Sequence, residues 1–276
     1  MIKNVVTTEA LALRIRLHAL RMVHASKSSH IGSCLSLADV LSVVYGDFAR
    51  LRTDDAKWID RDRVLVSKGH AAAVVYAVLA EMGFFPLSRL DHYGEDNQPL
   101  SGHVTHSNNP GVEVSSGSLG HGLSLAAGFA LAAKRLGRPS RSIVFLSDGE
   151  CDEGSIWEAA LFAPHHRLNN LIAIIDFNKI QSFGRVEEVL DLNPFADKWR
   201  SFNWAVKEID GHDHCQIKSA LARAGTTDRP LAIIAHTVKG KGVSFMENDL
   251  LWHYRPPSAD QLAAAIAELE VVGATK

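Results

Sequence analysis

Arg141-Ser142-Ile143-Val144-Phe145-Leu146-Ser147-Asp148-Gly149-Glu150, followed by Leu171-Ile172-Ala173-Ile174-Ile175-Asp176 and then Asn178-Lys179-Ile180, is the stretch on which the fold turns. Both apolar runs are continuous rather than alternating, the pattern of strands covered on both faces, and an amphipathic helix fits between them. Such a unit makes a parallel sheet and brings both post-strand loops to its carboxyl edge, where open α/β sheets bind ligands. At that edge Asp148 can offer a carboxylate oxygen, Asn178 an amide oxygen and Ile180 a main-chain carbonyl. These oxygens suit a hard cation such as magnesium, with calcium and manganese as alternatives, and leave its other positions to phosphate oxygens and water. Gly149 lacks the Cβ that would hold the backbone away from a phosphate. The pattern predicts a site for a metal-bound diphosphate.

The chain has 276 residues, enough for one large α/β domain with a sizeable core. Its net charge is −2 and its Lys and Arg residues are scattered, so no electrostatic footprint for nucleic acid is expected. The opening residues Met1 to Glu9 lack the apolar core of a signal peptide, and no apolar run is expected to reach the length of a membrane span. A cytoplasmic protein without membrane contact is the expectation. Cys34, Cys151 and Cys215 are odd in number and lack metal-ligand spacing, which fits a reducing compartment.

Leu11, Ile15 and Met22 give helical spacing over 8–26, and a second helix is expected over 37–48 with Ser36 and Asp39 as a capping box. A short strand, 63–66, leads through Gly69-His70 into a helix over 71–82 closed by Gly83. Residues 94–116 are rich in Gly, Asn, Ser and His without periodicity, and a loop of that length is usually functional. Helices over 119–136 and 153–167 flank the first central strand, further strands at 203–209 and 231–236 enclose a helix at 213–224, and a loop over 240–257 precedes a last helix at 259–269. With no repeat or internal boundary, residues 1–276 read as a single α/β domain, an open and mainly parallel sheet with helices on both faces.

Six blocks in this order resemble the thiamine-diphosphate enzymes, and among them the amino-terminal portion of transketolase: Ser28-Ser29-His30-Ile31-Gly32, Ser67-Lys68-Gly69-His70, Ser101-Gly102-His103, Gly117-Ser118-Leu119-Gly120-His121-Gly122, Asp148-Gly149 with Asn178 thirty positions on, and Lys239-Gly240-Lys241-Gly242-Val243-Ser244-Phe245-Met246-Glu247. The resemblance covers nearly the whole chain. It implies the diphosphate-binding domain of the thiamine-diphosphate fold, with thiamine diphosphate and Mg2+ as cofactors. Asp148 has an ordinary reading as a helix N-cap, and its pairing with Asn178-Lys179-Ile180 at the family spacing favours the metal. By the same resemblance His30 and His103 would contact ketose hydroxyls, His70 the diphosphate, and His253 the thiazolium and substrate side, work for which imidazole is suited near neutral pH. Gly117 and Leu119 would pass beneath the aminopyrimidine, Gly149 and Glu150 would join the cofactor contacts, and Glu153 would be an acid at a subunit interface. His18, His24, His165, His166, His212 and His214 are expected to be structural.

The resemblance also implies a reaction and a partner. The cofactor would serve as electron sink while a two-carbon ketol unit passes from a ketose, with ketose phosphates the favoured donors, to an aldose. The pyrimidine-binding and C-terminal domains, with the glutamate that activates the cofactor, match nothing in this chain and are expected on a partner subunit, in a heterotetramer. Several positions depart from the family pattern. Ser147 and Ser29 stand for glycine, His121 for glutamine and His236 for lysine, while Ser182 and Phe183 replace an aliphatic residue and an acid beside the thiazolium. Two alternatives keep the cofactor or the fold: the alpha subunit of a 2-oxo acid dehydrogenase, against which the His30, His103 and His253 blocks argue, and a non-catalytic regulatory paralogue. A nicotinamide-dependent oxidoreductase would need Gly-X-Gly-X-X-Gly after the first strand, which is absent.

Overall fold

The structure, a computed structural model, describes residues 6–274. Its helices are α1 (Thr8–Ser26), α2 (Ile31–Val43), α3 (Ala72–Met82), α4 (Gly122–Arg135), α5 (Gly154–His165), α6 (Val186–Val189), α7 (Phe195–Ser201), α8 (His214–Leu221), α9 (Leu251–Tyr254) and α10 (Ala259–Ala274). Five strands, β1 (Arg63–Val66), β2 (Ser142–Ser147), β3 (Leu171–Phe177), β4 (Ala205–Asp210) and β5 (Leu231–His236), form one sheet in the order β1-β2-β3-β5-β4. Every pairing is parallel, with Ile143 opposite Ile172 and Ile172 opposite Leu231.

Side chains alternate along the central strands and divide the interior in two. Ile143, Phe145, Ile172, Ile174, Ile233 and Ala235 belong to one apolar cluster with α1, α2 and α3. Val144, Leu146, Ala173, Ile175, Ala232 and Ile234 face the other way, toward α4 and α5. Because β2 and β3 are buried along their whole length, both faces must be apolar, which is why their sequences read as unbroken runs.

The second helix corrects the sequence expectation. It begins at Ile31 rather than at position 37, and Ser36 and Asp39 do not form a capping box. Ser36 Oγ instead donates to Asp176, and Asp39 pairs with Arg16, His212 and His214. This helix is buried along all thirteen of its residues, so small serines satisfied by local carbonyls and by Asp176 interrupt the apolar spacing without marking an end. The window Ile31–Phe48 is also long and apolar enough to cross a membrane by length and composition, contrary to the expectation that no such run exists. Here 83% of it is packed inside the fold. Helices α6 and α7 were not anticipated; with four and seven residues they are too short to show a period.

Candidate active site

Four strand ends converge on one cavity of about 400 Å3. The turn after β1 brings His70, the turn after β2 brings Ser147, Asp148 and Gly149, the turn after β3 brings Asn178 and Ile180, and the segment after β5 brings Lys239. His30 enters from the start of α2, His103 and Gly117 from the long loop, Leu119 from the approach to α4 and His253 from α9. Every residue expected at the site from sequence lines this cavity except Glu150.

Glu150 is turned inward. Its carboxylate accepts from the Ser67 hydroxyl, from Gly120 N–H at 2.8 Å and from Ser147 N–H at 3.2 Å. It therefore ties the segment carrying Gly117 and Leu119 to the β1 and β2 turns rather than reaching the cavity, a correction to its expected place among cofactor contacts. Ser67 Oγ also accepts from Gly122 N–H at 3.0 Å, and a Cβ at Gly69 would come within 2.4 Å of Ser116 O. The two loops are in backbone contact, and glycine is what lets them touch. Gly117 has φ +155°, and a Cβ there would lie 3.0 Å from the His103 ring. A Cβ at Gly149 would also lie 3.0 Å from the Gln181 side chain.

The four histidines form a single group. The ring of His30 lies 5.2 Å from His70, 5.8 Å from His103 and 4.8 Å from His253, centroid to centroid. His30 adopts φ +74°, a left-handed conformation uncommon outside glycine and found preferentially at functional positions. Its N–H donates to His253 O at 2.9 Å, while its carbonyl accepts from Ser33 and Cys34 N–H, so helix start and α9 hold it from both sides. Ser29 Oγ lies 2.8 Å from His30 Nδ1. Burial, with His103 and Lys239 adding repulsion, pushes His30 down to about 4; burial with Lys239 and His30 pushes His253 down to about 3. His70 is driven well below the ordinary histidine range, first by burial and then by Lys68. The rings of His30, His70 and His253 are therefore held neutral near pH 7, each with one donor and one acceptor nitrogen.

Asp148 accepts from Gly149 N–H at 2.8 Å and from Lys179 N–H at 2.6 Å, and Asn178 Oδ1 accepts from Ile180 N–H at 3.2 Å. Burial, reinforced by Asp176, raises the Asp148 carboxyl to about 6. A carboxylate desolvated in this way, with a carboxamide and a main-chain carbonyl beside it on the cavity wall, is a donor set that fits a hard divalent cation. Among the described residues no cluster of three His, Cys, Asp or Glu side chains forms a metal site, so any cation here depends on the amide and carbonyl oxygens.

Sequence reasoning assigned no role to the lysines that organise this edge. Lys68 and Asp176 form an ion pair with both side chains fully buried, and Asp176 also accepts from Ser36, Thr237 and Asn178. Burial alone would raise the Asp176 carboxyl, and the Lys68 charge with these hydrogen bonds brings it below its ordinary value. Lys239 donates to Ile180 O at 2.8 Å and reaches His253 Nδ1 at 3.1 Å, and burial lowers its ammonium to about 8. A lysine directly after an apolar strand, inside a glycine-rich turn, was the available signal. Phe183 stands at the cavity mouth, 84% exposed, and is not turned in over Ser182. His18, His24, His212 and His214 bond Glu81, Pro257 O and Asp39, as structural histidines do.

Residues 7–271 match the family model described as transketolase, thiamine diphosphate binding domain. A 6-deoxy-6-sulfo-D-fructose transketolase subunit of Clostridium sp. (strain MSTE9) is 41% identical over 89% of this chain and 90% of its own length. One of the subunits of apulose-4-phosphate transketolase from Phocaeicola vulgatus is 40% identical over 96% of this chain and 95% of its own. The crystal structure of transketolase from Campylobacter jejuni superposes with a TM-score of 0.91 at 30% identity, over 98% of this chain but 43% of that one. The chain thus spans nearly all of the two bacterial subunits and less than half of the longer enzyme.

Proposed function

The chain belongs to the transketolase family, and from its thiamine-diphosphate-binding part we propose that it is the diphosphate-binding subunit of a two-chain transketolase that moves a two-carbon ketol unit from a ketose to an aldose. The observation that carries this reading is the convergence of His30, His70, His103 and His253 on the cavity that also holds Asp148, Asn178 and Ile180. Thiamine diphosphate, when bound, supplies the electron sink for that transfer. Asp148, Asn178 Oδ1 and Ile180 O would hold magnesium, His70 would face the diphosphate, and Gly117 and Leu119 would lie against the pyrimidine. His30, His103 and His253 would hydrogen-bond the ketose oxygens, and proton transfer would fall to members of this group.

The partner and substrate follow from the same reading. Two relatives are named as subunits, one for a sulfonated ketose and one for a ketose phosphate, which supports a donor with an anionic terminus and a second chain that completes the enzyme. Phe183 and Val189 at the cavity wall, with Leu190, Leu251 and Tyr254 exposed on neighbouring segments, give an apolar rim suited to a covering protein surface. That second chain would carry the activating glutamate, and a pair of such heterodimers is the proposed assembly in a cytoplasmic enzyme. The test is ketol transfer from a ketose phosphate, with magnesium and thiamine diphosphate supplied, by the chain alone and with the product of an adjacent transketolase-like gene. Turnover is expected only from the pair. Robust turnover by the isolated chain would overturn the two-chain reading.

A further inference from the structure

We propose that Lys239 is a positioning residue that fixes the tautomer of His253, keeping the ring proton on Nε2 so that this imidazole presents an N–H donor to the cavity. A neutral imidazole has one donor nitrogen and one acceptor nitrogen, and the partner of one decides the character of the other. Lys239 Nζ sits 2.8 Å from Ile180 O and 3.1 Å from His253 Nδ1. An ammonium can only donate, so Nδ1 must offer its lone pair, and an imidazolium there would set N–H against N–H. The proton is left on Nε2, which has no protein hydrogen-bond partner among the described residues while His253 lines the cavity.

The lysine is itself clamped. Val238 N–H donates to His212 Nε2 at 2.9 Å, and His212 Nδ1 is held 2.7 Å from the Asp39 carboxylate. On the other side Gly240 N–H donates to Gly32 O at 3.0 Å, and Lys239 O accepts from Asn248 N–H at 2.9 Å. Gly240 has φ +82°, and a Cβ there would come 2.1 Å from Met246 O, so the turn after Lys239 is set by close backbone packing. His253 is fixed in turn through its carbonyl, which accepts from His30 N–H at 2.9 Å. A ring held this way gives a hydrogen bond to a ketose oxygen and cannot take a proton through Nε2, which leaves proton acceptance to His30 or His103. That consequence rests on the ketol-transfer reading; the tautomer does not.

The test is long-range proton–nitrogen correlation on the full 276-residue chain labelled with nitrogen-15 histidine. His253 is assigned by the signals lost in His253→Asn. Near pH 7 the wild type should show a pyridine-like Nδ1 and a pyrrole-like Nε2. Lys239→Met, which keeps the stem and removes the donor, should bring the two shifts toward each other, and Lys239→Arg should restore their separation. A pyrrole-like Nδ1 in the wild type, or an unchanged spectrum in Lys239→Met, would overturn the proposal. A pyrrole-like Nδ1 in the wild type overturns the proposal even where a variant does not fold. It needs neither cofactor nor substrate, so its failure is distinct from a failure of ketol transfer.

Discussion

His103 is the exposed member of the four-histidine group, and among the described residues its hydrogen bonds to the fold are those its carbonyl accepts from Tyr76 Oη and Ser101 Oγ. Its ring is therefore free to serve a substrate. His103→Ala should lower kcat by about a hundredfold or more, the usual contribution of a general acid or base, while leaving cofactor affinity nearly unchanged. Steady-state kinetics beside a binding isotherm checks it, and wild-type turnover would return His103 to a structural role. His30 makes a prediction about stability. In the unfolded chain it takes a proton near 6.5, whereas in the fold burial postpones this to about 4. The unfolded state binds more protons throughout that window, so stability falls as pH drops from about 6.5 to about 4. Urea unfolding at several pH values should show this slope reduced in His30→Asn; an equal slope would show that His30 is not held neutral.

At the scale of elements, the loop between Gly117 and Gly122 depends on a carboxylate that never reaches the cavity. Glu150→Ala would strand the buried N–H groups of Gly120 and Ser147 and free the Ser67 hydroxyl, at about 1–3 kcal/mol for each buried group left unsatisfied. Chemical denaturation should show a loss of about 2–5 kcal/mol, and a loss below about 1 kcal/mol would mean that water replaces the carboxylate. Glu150 also marks what the sequence could not show. The sheet was legible because β2 and β3, buried on both faces, leave uninterrupted apolar runs, and the cavity residues were legible because they sit in ordered blocks beside glycines and strand ends. Whether a side chain at such a turn points into the cavity or behind it depends on the turn's dihedrals, so Glu150 and Asp148, two positions apart, read alike and face differently. The early start of α2 was hidden for a related reason: Ser36 is a core residue here, satisfied by hydrogen bonds to Ser33 O and Asp176 that no periodicity records. Lys68 and Lys239 sit in those ordered blocks, but their burial against Asp176, Ile180 and His253 depends on tertiary contacts that the local sequence does not carry.

At the scale of the whole molecule, one parallel sheet gathers four strand ends around a cavity whose charge is balanced in layers, the Lys68–Asp176 pair below and Asp148 with Lys239 at the wall. The imidazoles of His30, His103 and His253 line this cavity together with Asp148, Asn178 and Ile180. Burial, reinforced by Asp176, raises the Asp148 carboxyl, so a further positive charge beside it would favour its ionised form. Under the proposed function a divalent cation carrying a diphosphate would supply that charge. Calorimetric titration of thiamine diphosphate with magnesium into the assembled two-chain enzyme, in the wild type and in Asp148→Ala, addresses this most directly. A site built on Asp148 requires saturable binding in the wild type and its loss in the variant, with circular dichroism unchanged; equal affinity in the two proteins would contradict it.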